Sequence, residues 1–243
     1  MTARSTYVTI GRTYARWHRA LLILAVVVFV PLGLVHTLAL EVDGGSPEIG
    51  GVGIAALAAA IAVLSAIGLL GEVFYAGAVA NALTQPDGRE PPPIGQIAST
   101  IDYRRLIAVD LIYAALVSIG IVALLVPGIV AYVYLGLSAP VVEVEKRGVW
   151  ESLVRSVRLV RGRFWLVFAV LVPIELIGDG LTDLGTAGVH ALLGDSLVAE
   201  WLADSVSNIA LTPFYAVAAL VLTLELIAEK GEGADLHSAL TGA

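Results

Sequence analysis

The amino-acid sequence predicts an all-α, polytopic membrane helix bundle with six transmembrane helices and additional basic interfacial helices. Three observations lead there. The 243 residues are 58% hydrophobic and only 14% charged, whereas an ordinary soluble domain carries about 25% charged residues. The apolar residues gather in six runs, about 20–40, 52–74, 106–126, 128–142, 164–184 and 209–227, most of them close to the roughly 20 residues a membrane-crossing helix needs. With the N-terminus in the cytoplasm, the inner segments hold all 14 Lys and Arg residues and the outer connections hold none, which is the positive-inside pattern. The expected location is therefore the cytoplasmic (inner) membrane of a cell, multi-pass, with both termini cytoplasmic. Uninterrupted apolar runs of this length exclude a β-barrel. The chain contains no cysteine, so disulfides, thiolate chemistry and cysteine-ligated metals are excluded. Its Ala/Val/Leu-rich usage suits a bacterial membrane.

In chain order, residues 5–19 place Ile10, Tyr14, Trp17 and Leu21 on one helical stripe and Arg12, Arg16 and Arg19 on another. This pattern predicts a basic interfacial helix leading into the first span. A cleaved signal peptide is disfavoured, since the run is long for that role and no small-residue cleavage site closes it. Glu41 to Gly51 is Gly/Pro-rich and acidic and forms the outer turn. The second span carries Ala56, Ala60, Ala62 and Ala66 at close-packing spacing, which predicts that it lies at the centre of the bundle. Thr84 to Gln96 is a Pro/Gly-rich loop. Pro127-Gly128 predicts a tight outer turn between the third and fourth spans.

A cationic elbow follows. Trp150, Leu153, Val154, Val157 and Val160 recur at spacings of three and four, with Glu151, Arg155 and Arg158 opposite. An amphipathic interfacial helix over 149–161 is expected, its apolar face in the acyl boundary and its guanidinium groups near lipid phosphate. The weakly apolar stretch 178–194 is expected to emerge outside, and a short amphipathic piece with Leu197, Trp201 and Leu202 precedes the last span. Residues 229–243 read as a disordered cytoplasmic tail. A faint internal echo places Pro31 and Pro173 each twelve residues beyond an arginine, Arg19 and Arg161. Convergence explains it as well as duplication does.

Pro127, Gly128, Pro140, Glu143, Ser156, Arg158, Leu159, Gly162 and the pair Phe164-Trp165 together resemble the signature of the six-helix membrane domain found in membrane-anchored glycerophosphodiester phosphodiesterases and in related stand-alone bacterial membrane proteins. The likeness covers residues 127–165, with Pro127, Gly128, Pro140, Ser156, Gly162 and Trp165 as motif positions. The resemblance implies the fold. It also implies that phosphodiesterase chemistry would belong to a separate soluble barrel, so no catalytic residue and no enzyme activity are expected in this chain.

Ionisable residues inside the membrane are the default functional candidates, because each is costly there unless paired or neutral. Glu175 lies near the midplane of the fifth span, roughly 16 Å from its start at 1.5 Å per residue. Asp179 and Asp183 follow at steps of four, and His36 in the first span is expected at a depth close to Asp179 and able to pair with it. One reading of this group is an outward-opening cation or proton path; the other is that the span ends early and the aspartates sit in water. A second cluster sets Glu72, Asp110, Glu143, Glu145 and Glu225 against Arg104, Arg105, Arg155, Arg158 and Arg161. It is expected either to tie the elbow to the bundle or to bind anionic lipid headgroups at the cytoplasmic face. No phosphate loop, serine elbow or metal-spaced histidine pair is present, so no cofactor and no metal are expected. The basic residues border apolar runs without forming a solvated patch, which argues against nucleic acid. Two functions remain: a non-catalytic module that organises membrane, lipid or a protein partner, and a small transporter or channel subunit using the acidic stripe.

Overall fold

The computed structural model describes residues 2–42, 75–81, 83–84, 99, 101–194 and 196–231. Among them the ordered elements are all helical: α1 (Ala3–Val42), a short piece over 75–81, α2 (Tyr103–Ala123), α3 (Leu125–Leu135), α4 (Ser138–Glu145), α5 (Val149–Val160), α6 (Phe164–Leu193) and α7 (Leu197–Glu229). Four helical stretches are long and apolar enough to cross a membrane: α1 as far as Leu34, the run Leu125–Glu145 made by α3 and α4, α6, and α7. They mark the chain as a membrane protein. The expected second span, Glu72 and the 85–96 loop lie outside the described residues.

Three helices are longer than expected. The separate interfacial helix 5–19 and first span 20–40 are one 40-residue rod, α1. No glycine or capping residue separates Arg19 from Ala20, so a change of composition does not interrupt the hydrogen-bond ladder. Its stripe of Thr6, Ile10, Thr13, Trp17 and Leu21 is buried and packs on α7, α1's most extensive partner, instead of lying in the headgroup layer. The stretch after 184 is helical as well, since α6 continues to Leu193 and stops at Gly194, whose φ of 69° ends it. The short piece near Trp201 and the last span are likewise one helix, α7, started by the Ser196 hydroxyl, which accepts from the Ala199 N–H at 3.2 Å. Pro31, Pro173 and Pro213 sit inside α1, α6 and α7 without ending them.

The register of α1 on α7 is antiparallel. Thr6 Oγ1 donates to Glu225 at 2.7 Å, the rings of Tyr14 and Phe214 meet at 5.8 Å, and Trp201 Nε1 donates to the Val30 carbonyl at 3.0 Å. The basic half of α1 thus lies beside the apolar half of α7, with Arg12, Arg16 and Arg19 exposed on the far side. Residues 216–224 of α7 are all buried, which makes α7 the central helix among the described residues.

The hairpin between α2 and α3 turns at Leu124, in extended conformation, and not at Pro127-Gly128. Pro127 stands in the first turn of α3, where a missing N–H costs no helical hydrogen bond. Gly128 provides close approach: a Cβ there would lie 2.6 Å from the Ile121 nitrogen. The expected fourth span, 128–142, is broken at Gly136-Leu137 and continues to Glu145. The elbow helix α5 forms where its periodicity placed it, and Gly162, at φ 89°, makes the turn into α6.

Candidate functional site

A cavity of about 1100 Å³ opens between the long helices. Its walls follow helical periodicity. From α6 come Glu175, Asp179, Thr182, Thr186 and His190, and from α7 come Glu200, Asp204, Ser207, Asn208, Leu211 and Tyr215. Both sets advance by three or four residues, so each is a single face. Asp110 and Tyr113 of α2, Tyr132 of α3, Gly136 at the α3–α4 break and Tyr7 and Tyr14 of α1 complete the polar and aromatic lining. Tyr132 donates to Glu175 Oε2 at 3.2 Å and its ring lies 6.2 Å from that of Tyr113. Asn208 donates to the Asp204 carbonyl at 3.0 Å. No lysine or arginine lines the cavity among the described residues.

The expected acidic stripe is therefore brought together in part. Glu175 and Asp179 face the cavity, whereas Asp183 is exposed and does not line it. The helix itself continues past both aspartates to Leu193. His36 is part of α1, but its side chain, and with it the expected pairing to Asp179, lies outside what is described. Asp110, expected at the elbow, lines the cavity instead. The tyrosines escaped sequence reading, since they come from four different helices and share no spacing.

The opposite end is closed. Arg155 grips Glu145 with both Nε and Nη2, at 2.8–3.1 Å, and both side chains are largely buried, at 11% and 13% exposure. Arg147 also binds Glu145. Lys146 pairs with Glu143 at 2.5 Å, and buried Glu143 accepts the Asp102 N–H at 3.3 Å. Burial, and then the neighbouring Glu143 charge, raise the Tyr103 phenol above its ordinary pKa. Arg105 reaches Asp102 at 3.0 Å and the Lys146 carbonyl at 3.3 Å, while Arg163 pairs with Glu229. Of the five arginines expected to form the tie, Arg155 makes the buried one, and Arg158 and Arg161 do not take part. Those two are exposed and form no ion pair among the described residues. Glu225 is engaged by Thr6 and not by an arginine.

The elbow helix packs on the bundle through a face of mixed polarity. Ser152, Leu153, Ser156, Leu159 and Val160 are buried, whereas Trp150 is 71% exposed and Val157 is exposed as well. Small serines admit the bundle's close approach, and Ser156 Oγ donates to the Tyr134 carbonyl at 2.7 Å. Of the remaining motif positions, Pro140 is buried in the first turn of α4 and Trp165 is 75% exposed. No three His, Asp or Glu side chains stand close enough to hold a metal among the described residues. Compared with known proteins, the chain matches no family model, no curated protein and no solved structure.

Proposed function

We propose that this chain is a six-span inner-membrane protein with cytoplasmic termini that binds a ligand within its bundle and passes it across the membrane, as a small transporter or channel subunit. One observation carries the reading: the cavity reaches Glu175, which stands eleven residues into α6, the depth expected of a group near the middle of a membrane. A roomy polar space at that depth has a function far more readily than a structural reason, because a carboxylate within a membrane span is costly. The distribution of Lys and Arg supports the orientation. α2, with 21 residues, supports a further span, and the motif over 127–165 supports the likeness to the six-helix membrane domain.

The test is chemical access. In proteoliposomes, a water-soluble carbodiimide applied from outside labels Glu175 in the unaltered protein, and Glu175→Gln removes that label. A carboxyl that stays unlabelled at every pH would remove the transport reading.

A second reading rests on the elbow, where exposed Trp150, Val157 and Trp165 surround Arg158 and Arg161. Indoles and unpaired guanidinium groups together suit an anionic headgroup layer. On this reading the protein organises lipid or a partner without transport. A phosphodiesterase activity has no support in the described side chains.

A further inference from the structure

Resting on the transport reading, the geometry points to a lipophilic organic cation as the cavity's ligand: one positive charge on an apolar or aromatic body. Charge narrows the choice first. The lining offers the carboxylates of Asp110, Glu175, Asp179, Glu200 and Asp204 and no lysine or arginine among the described residues. Against these five acids the lining sets, among the described residues, a single imidazole, His190, so the balance of charge favours a cation over an anion. Aromatic faces narrow it further. Tyr113 and Tyr132, 6.2 Å apart with planes at 44°, stand beside Glu175, to which Tyr132 donates. Tyrosine faces attract organic cations through the ring quadrupole and also bury their apolar body.

Size and spacing decide against an inorganic cation. A bare calcium-like ion takes 6–8 oxygens at about 2.3–2.6 Å, and no group of three His, Asp or Glu converges in that way among the described residues. A volume of about 1100 Å³ instead matches the range of drug-sized ligand pockets, roughly 300–1,000 Å³. Ile174, Ile177, Leu181 and Leu211 add apolar wall between the acids, which a hydrated metal ion would not use.

The probe is tetraphenylphosphonium, compared with its anionic twin tetraphenylborate, on full-length protein in lipid nanodiscs with empty discs as baseline. The expected result is saturable binding of the phosphonium and none of the borate. Glu175→Gln and, separately, Asp179→Asn weaken the phosphonium by at least about tenfold, since each removes a charge from a poorly screened site. Both variants keep the unaltered helical circular dichroism, which separates lost binding from lost fold. Saturable borate binding equal to that of the phosphonium, or phosphonium binding untouched by both variants, would overturn the ligand class. So would protection of Glu175 from carbodiimide by sodium but not by phosphonium. If Glu175 is labelled yet no phosphonium binds, the ligand class fails and the transport reading survives; if Glu175 is neither labelled nor protected and no phosphonium binds, both fail.

Discussion

The two ends of the bundle hold carboxylates in comparable numbers and treat them in opposite ways. At the elbow three acids have cations supplied from nearby in the chain: Lys146 for Glu143, Arg147 and Arg155 for Glu145, Arg105 for Asp102. The helices close on these pairs. Around the cavity the acids have hydroxyl and amide partners, as Glu175 has in Tyr132 and Asp204 has in Asn208, and the helices stand apart. Helical spacing of acids is thus ambiguous by itself. What decides between a sealed joint and an open site is whether a cation of matching reach lies on a neighbouring face.

The largest effect that bears on this contrast is expected at the elbow. Arg155→Ala, or Glu145→Ala, leaves a mostly buried charge without its partner and should destabilise the region by about 3 kcal/mol. Limited proteolysis between α4 and α5 reads it out as a new cleavage, and Arg155→Lys should recover only part of the protection because the forked contact is lost. An unchanged digest for Arg155→Ala would erase the distinction between the two ends. Next in size is packing at the hairpin: Gly128→Val drives a side chain into the Ile121 backbone and should cost about 1–3 kcal/mol, seen as a lower thermal transition in detergent. The smallest effect sharpens the comparison most. Arg158→Gln with Arg161→Gln, both exposed, should shift stability by no more than about 0.5 kcal/mol, with the digest of the elbow unaltered. A digest as open as that of Arg155→Ala would place the tie on these arginines after all.

Much of the helical class was legible because its signals are local. The elbow's periodicity marked α5 over Val149–Val160, and Gly162 stands where the turn demands a positive φ. Glu175 and Asp179, one turn apart, were found as a pair for the same reason. The errors share a different cause. Residues 5–19, 178–193 and 197–208 change polarity without containing a helix stop, so their composition suggested boundaries that hydrogen bonding does not observe. On α5 the face that packs inward includes Ser152 and Ser156, while Trp150 remains outside, a division that the spacing of apolar residues alone does not give. Asp110 and the cavity tyrosines depend on how separate helices are placed side by side, which no local pattern records.

The pairing of α1 with α7 also has a bearing on how the protein is made. Thr6 and Glu225 are separated by 219 positions, and at about 5–20 residues per second the ribosome needs roughly 10–45 s to span that interval. Throughout it, the stripe from Thr6 to Leu21 has emerged while the surface that covers it does not yet exist. Two of its members, Thr6 and Thr13, are hydroxylated, and three, Ile10, Trp17 and Leu21, are large and apolar. The nascent chain therefore depends on a temporary companion, lipid or insertion machinery, for its first helix, and the bundle locks only when its central helix arrives late in synthesis.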